Sequence, residues 1–441
     1  MKIGLLGIDE CVTRLAQAAL ARGHEIVACW QEPGATHFLP AELASVQIFR
    51  EWDQLLALTD MDAVIVPTGN GAADDEPPHL APLRSAVQTG LSALVCHPVA
   101  PSTIAHYELD MACEESGGKL IPFTVNRWDP AVAELQQLFG AGPLGSLKQI
   151  VIERQVTDDR RQTLSHQFSV DLDLARLMIG DAVRLHAMTT VLPVGDVLSA
   201  ANNPAKDSHW PNLAIQLVGS TGAAGRWSPQ LIASSDHSLL RVQASGEAGL
   251  ATLSAWPRSA SGTKSDELSS SSPSSALATL TWNVEGTTHE RSFFDDGQIE
   301  QAAIADFEAA VAGQPSAVSW ADVCHAMHAT ESIGRSLKRG RVIDLNYDDY
   351  SEEGTFKGLM AAGGCLVLFT ALVILLAGVA MGQIGWKRFD KIVPVLLLIL
   401  LGGFLAMQLL GNVFRSEAES EDAPSSDTDA QSPSKSESSS T

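Results

Sequence analysis

Residues 62–100 read DAVIVPTGN (62–70), GAADDEPP (71–78), HLAPLRSAVQTG (79–90) and LSALVCHPVA (91–100). Residues 63–67 form a short apolar run rich in Val and Ile, bounded by Thr68, Gly69 and Asn70. That is the pattern of a parallel strand buried on both faces. Residues 79–89 carry helix-length apolar spacing and stop at Gly90, a helix C-terminal signal. Residues 93–95 form a second buried strand ending in Cys96-His97-Pro98. Strand, helix and strand in so short a span make a right-handed βαβ unit. Sheets of this kind gather ligands at the carboxyl ends of their strands. Thr68, Gly69, Asn70, Cys96 and His97 are therefore expected on the rim of one crevice.

The pattern extends in both directions. Residues 2–6 and 25–30 read as buried strands around an amphipathic helix at 11–22. A helix at 52–58, a helix near 105–116 and a strand at 119–123 follow. Two such half-units complete a doubly wound parallel sheet. Its first turn is where a dinucleotide fingerprint would sit. Here Gly7-Ile8-Asp9-Glu10-Cys11-Val12 occupies the frame G-x-G-x-x-G, and only the first glycine is kept. Asp9 puts a carboxylate where backbone should meet phosphate, and Glu10 adds negative charge at the same helix N-terminus. After the second strand, Gln31 or Glu32 is available as the ribose-binding group.

The chain has 441 residues, room for two or three domains, and a net charge of −23 that speaks against a nucleic-acid binder. Six cysteines are scattered without a CxxC pair or zinc-ligand spacing, so free thiols in a reducing compartment are expected rather than a disulfide framework. The amino end runs straight into a strand with no apolar leader, so no signal peptide is expected.

Residues 146–156, 183–192, 213–219, 239–243, 250–256 and 278–282 alternate or run apolar in short segments, which suits an antiparallel sheet. Residues 200–210 and the Ser-rich 259–276 read as loops, and 299–311 and 321–337 as amphipathic helices. Cys324, His325 and His328 fall near one face of the last helix, a packed surface rather than a metal site. An acidic linker at 346–355 precedes residues 359–381, a run of 23 uncharged residues. After Lys387, Arg388, Asp390 and Lys391, residues 392–414 make a second run of 23. Each is long enough to span a bilayer, and Gly363, Gly364, Gly402 and Gly403 would let the pair pack closely. The basic connection prefers the cytoplasm. The missing signal peptide argues the other way and is given more weight, so the N-terminal part and the Ser- and acid-rich tail at 415–441, read as disordered, are expected on the cytoplasmic side.

Several phrases together resemble the glucose–fructose oxidoreductase/inositol dehydrogenase (Gfo/Idh/MocA) family. DAVIVPTGN is similar to its DAVIVATPN, and HLAPLRSAVQTGLSALVCHP to its helix followed by GKHVLCEKP. VNRWDPAV resembles NRRFHPAV, PLGSLKQIVIERQ resembles LGRILHVRAE, and DLDLARLMIGD resembles HLLDLARWLLGD. AVSWADVCHAMHATESIGRSLKRGRVIDL is similar to the closing helix and final strand. The resemblance covers residues 1 to about 345. It implies a Rossmann-type domain at 1–125, then an α/β domain at 126–345 with a large, mostly antiparallel sheet. It further implies NAD- or NADP-dependent oxidation or reduction of a sugar or polyol-like substrate, in a chain able to form homo-oligomers.

Carried over by position, cofactor contacts fall on Gly7, Ile8, Asp9, Gln31, Thr68, Asn70 and Pro98, and substrate contacts on Asn126 and Arg127. The family's proton-transfer Lys falls on His97, its catalytic His on Val170, and its first helix Asp on His166. The last helix Asp is kept at Asp173. Hydride transfer at a hydroxyl carbon needs a group that exchanges the hydroxyl proton, and Val170 cannot do so. His97 and His166 with Asp173 are the candidates to replace it as acid and base. A metal site on these residues and a silent, disused pocket are the other readings. The chain is thus expected to be either a membrane-anchored oxidoreductase or a non-catalytic sensor or scaffold of the same fold.

Overall fold

The computed structural model describes residues 1–31, 40–44, 46–58, 60–69, 76–190, 209–233, 239–256, 277–294, 296–345 and residue 370. No helix of the described residues is long and apolar enough to cross a membrane. The spans expected at 359–381 and 392–414 lie outside the described residues apart from residue 370, as do Asn70, the Ser-rich stretch, the acidic linker and the tail.

The amino-terminal half builds β1 (Lys2–Leu6), α1 (Glu10–Ala21), β2 (Glu25–Trp30), β3 (Gln47–Phe49), α2 (Trp52–Leu56), β4 (Ala63–Val66), α3 (Leu80–Gln88), β5 (Ser92–Cys96), α4 (Thr103–Ser116) and β6 (Leu120–Phe123). All six strands run parallel in the order β3-β2-β1-β4-β5-β6, the doubly wound arrangement expected from the sequence. All of β4 and β5 is buried, because helices cover both faces of the sheet.

The strand order reverses between β1 and β4, so the crevice opens above Gly7 and Pro67. Gly7 has φ +115°, and a Cβ there would meet Pro67 Cγ at 2.8 Å. Only glycine makes this turn without strain. Gly7→Ala is expected to cost about 1–3 kcal/mol, read as a lower midpoint of urea unfolding.

Two short helices, α5 (Val125–Trp128) and α6 (Pro130–Gln137), lead into the second half. It contains β7 (Leu147–Val156), α7 (Arg161–Ile179), β8 (Ala182–Met188), β9 (Ala214–Gly219), β10 (Ala224–Leu231), β11 (Leu240–Gly246), β12 (Gly249–Ala255), β13 (Ala278–Val284), β14 (Thr287–Phe293), α8 (Gln298–Val311), α9 (Trp320–Arg339) and β15 (Ile343–Asp344). The nine strands lie in the order β14-β13-β12-β11-β7-β10-β9-β8-β15, antiparallel except for the pair β7–β10. The mostly antiparallel sheet is as expected.

The last helices do not stay with the sheet they follow in the chain. Ile299, Ala303, Ile304 and Phe307 of α8 share a core with Ile3, Leu5 and Ile65 of the first sheet and with Leu15 of α1. Along α9, Trp320 and Cys324 pack with the first sheet, while Ala326, Ala329 and Ile333 pack with the second. α8 therefore covers the first sheet although it follows the second in the chain. Apolar spacing identifies a helix but not the sheet it covers.

Candidate functional site

Asp9 caps α1, its Oδ1 accepting from Val12 N at 2.7 Å. Its Oδ2 accepts from Thr68 N and from Thr68 Oγ1, each at 2.9 Å. This carboxylate holds the amides at the helix N-terminus and at the end of β4 that could otherwise serve an anion. The chain's own residues therefore fit a dinucleotide at the Gly7 turn and oppose its pyrophosphate at Asp9. Beside Thr68, Gly69 N donates to Pro98 O at 2.7 Å, and a Cβ on Gly69 would collide with Val99 backbone. Ile8 and Pro98 are buried at this rim, and Gln31 follows β2 with its N–H on Phe49 O at 3.4 Å.

One feature contradicts the expectation of free thiols. Cys11, in the first turn of α1, and Cys96, the last residue of β5, form a disulfide with Cα atoms 6.9 Å apart. They are 85 residues apart in sequence, so no local spacing signals the pair. Cys29, Cys113 and Cys324 are free.

His97 follows Cys96 and is buried, as is His106 of α4. Their rings meet edge to face with centroids 6.4 Å apart. His97 Nε2 donates to Ser169 O on α7 at 3.4 Å, and His106 Nδ1 donates to Ser102 O at 2.8 Å. A carbonyl only accepts, so these contacts assign one proton to each ring and leave His97 Nδ1 and His106 Nε2 bare. Neither bare nitrogen has a partner among the described residues. Burial, reinforced by His106, pushes the His97 imidazole down to about 3, and burial pushes His106 down to about 4 against the pull of the Ser102 carbonyl. Both rings are neutral at physiological pH.

His166 lies close enough to His97 to contribute to that lowering. Its own value is lowered by burial, and the carboxylate that opposes the shift is Asp171, not Asp173. Asp173 Oδ1 accepts from Arg127 Nε at 2.8 Å and from Arg127 Nη2 at 2.7 Å. Asn126 Nδ2 donates to Val170 O at 3.0 Å. Asn126 and Arg127, expected to hold substrate, thus spend these groups on α7, and Asp173, named with His97 and His166 as an acid–base candidate, stands in an ion pair between α5 and α7. Arg127 also lies 3.6 Å from Asp322 Oδ1, which accepts from Arg176 Nη2 at 2.9 Å. Burial alone would raise the Asp322 carboxyl, but Arg176, the Ser319 amide and Arg127 outweigh it and hold it below the usual range.

The crevice thus brings together Gly7, Asp9, Thr68, Cys11, Cys96 and His97. Sequence reasoning missed the Cys11–Cys96 pair and His106. The predicted topology carried a signal for the first, since it places α1 and the end of β5 on either side of β4. His106 had none, because its position depends on how α4 meets α9.

No protein-family model and no curated protein matches the chain. Solved structures do. A myo-inositol dehydrogenase from Corynebacterium glutamicum is 17% identical, with 79% of this chain and 99% of that chain covered at a TM-score of 0.57. A levoglucosan dehydrogenase in complex with NADH and L-sorbose is 14% identical over 78% of this chain and 99% of its own, at 0.59. An oxidoreductase from Agrobacterium radiobacter in complex with NAD+, L-tartaric acid and magnesium is 16% identical over 78% and 98%, at 0.57. At these identities the likeness is one of fold. The chain has the two-sheet fold of the inositol dehydrogenase type of oxidoreductase, the Gfo/Idh/MocA type that its sequence phrases resemble.

Proposed function

We propose that the chain is an NAD(P)-dependent oxidoreductase acting on a sugar or polyol-like substrate. It is tethered by membrane helices at 359–381 and 392–414, with the N-terminal part and the tail on the cytoplasmic side. The observation that carries the chemistry is His97. It stands at the end of β5, where the resemblance puts the proton-transfer Lys, with Nε2 committed to Ser169 O and Nδ1 bare. A neutral imidazole in this state accepts a hydrogen bond from a substrate hydroxyl and orients it for hydride transfer. A bound nicotinamide dinucleotide would supply the hydride chemistry, held at Gly7, Ile8, Gln31, Thr68 and Pro98. The open face of the second sheet exposes Met188, Val218 and Leu250, which supports association of copies.

The Asp9 carboxylate and Val170 favour a second reading, a ligand-binding sensor or scaffold without turnover. Titration of the full chain with NADH and NADPH, read by cofactor fluorescence, separates the two. Asp9→Asn keeps an N-cap and removes the charge, so it is expected to tighten binding about tenfold or more. His97→Gln is expected to abolish turnover of a responsive sugar or polyol while leaving cofactor affinity within about twofold. Absence of binding to millimolar cofactor, in both wild type and Asp9→Asn, overturns the oxidoreductase reading and leaves the sensor.

A further inference from the structure

The residues that oppose a pyrophosphate suit the opposite charge. Cys11 Sγ, Cys96 Sγ and an Asp9 carboxylate oxygen all lie within 4.8 Å of one another, the one such group among the described residues. We propose that the reduced form of this trio binds one soft divalent cation of the Zn2+ class, and that disulfide and metal are alternative states of the same site.

Two thiolates and a carboxylate are a donor set that selects such a metal over Mg2+ or Ca2+, which prefer oxygen ligands. Ligands about 2.0–2.3 Å from a tetrahedral ion lie roughly 3.3–3.8 Å from one another. The three side chains reach that spacing by small torsional adjustments. Water fills the fourth position, and Asp9 and Cys11 are half-buried, leaving the ion a path in. A divalent ion with three anionic ligands carries one net negative charge, which the α1 N-terminus favours. The support that fixes ligand orientation in metal sites is already in place. Asp9 is oriented by Thr68 N, Thr68 Oγ1 and Val12 N, and Cys96 sits at the end of a fully buried strand.

The exchange balances. A phosphine reductant and water convert the disulfide to two thiols and the phosphine oxide, and the incoming ion displaces the two thiol protons to solvent. A disulfide of the glutathione class reverses this by taking two electrons as it becomes two thiols, and the ion leaves. The proposal holds whether or not a dinucleotide binds above the same turn.

The test uses the full chain in detergent, reduced with a phosphine and freed of metal, then titrated with Co2+ and Zn2+. One equivalent of Co2+ is expected to give thiolate-to-cobalt charge-transfer absorption that Zn2+ abolishes. The band should be absent from the unreduced chain and lost in Cys11→Ser. Thr68→Val, which removes one donor to Asp9, is expected to weaken binding about 10-fold. Mapped alkylation of the wild-type chain needs no variant to fold. Zn2+ should slow modification of Cys11 and Cys96 at least tenfold while leaving Cys113 unchanged. A reduced chain with no cobalt band and no protection overturns the proposal, as does a band that survives Cys11→Ser.

Discussion

Asp171→Ala is expected to lower the stability of residues 1–347 by about 3–5 kcal/mol, the largest effect of any single substitution considered. Asp171 is fully buried on α7. Its Oδ2 accepts from Arg154 Nε of β7 at 3.0 Å and from Trp227 Nε1 of β10 at 2.8 Å, while Arg154 Nη2 contacts Oδ1. One carboxylate thus ties α7 to the two strands that run parallel in an otherwise antiparallel sheet. Without it a guanidinium is left inside without a counter-charge and an indole N–H without an acceptor, and both penalties exceed the net worth of the bonds themselves. Urea unfolding of the full chain checks this through the midpoint. Asp171→Asn, which keeps an acceptor for Trp227, should fall between wild type and Ala. Asp60→Ala, in an exposed pair with Lys2, should leave the midpoint where it is.

Acid is expected to weaken the same unit by about 2 kcal/mol per pH unit between roughly pH 6 and 4. His97 and His106, held down to about 3 and about 4 in the folded chain, regain ordinary values near 6.5 on unfolding. In this window the unfolded chain binds nearly two more protons, so stability falls as pH falls. The loss is complete only below the folded values. His79 and His166 are lowered by burial too and add in the same direction, while Asp110, raised by burial, opposes them. Trp320 stacks on His106 with centroids 5.7 Å apart and donates Nε1 to His106 O at 2.9 Å, so its fluorescence reports the transition. Unfolding midpoints at pH 7, 6 and 5 should fall steeply in wild type and less so in a His97→Gln/His106→Gln chain. Equal slopes would show that these rings do not carry the linkage.

The first sheet was legible except for its short edge strand β3, which has no buried run, because the other strands announce themselves. AVIV and SALVC are continuous apolar runs, and a strand buried on both faces can be little else. The second sheet was legible in part. β10 escaped because Gly225 and Pro229 interrupt its pattern, and Pro229 sits inside the sheet opposite Arg154 of β7. β14 escaped because TTHERSF has no buried face, being an exposed edge paired only to β13.

At the site, strand order predicts Thr68, Gly69, Asn70, Cys96 and His97 on one rim; of these the described residues place Thr68 and Gly69 just after β4 and Cys96 and His97 at the end of β5, its parallel neighbour. Side-chain partners did not follow. Asp173 lies two turns along α7 from His166 and was grouped with it as an acid–base candidate, while in the fold Arg127 on α5 holds its carboxylate. Asp9 read as a damaged glycine. In the fold it is a helix cap that also ties β1 to β4.

The return of α8 to the first sheet has a consequence for how the chain is made. Phe307 and Ile304 are fully buried against a core that includes Ile3 and Leu5, and Arg14 Nε reaches Glu300 Oε1 at 2.8 Å. A ribosome delivers these partners roughly 15–60 s apart at ordinary elongation rates of about 5–20 residues per second. Through that interval one apolar flank of the newborn sheet has no native cover. The element that seals it emerges just before the most water-averse stretch of the chain. Biogenesis therefore asks cellular chaperones to shelter two exposed surfaces almost at once, and the amino-terminal half cannot mature until about two thirds of the chain has been made.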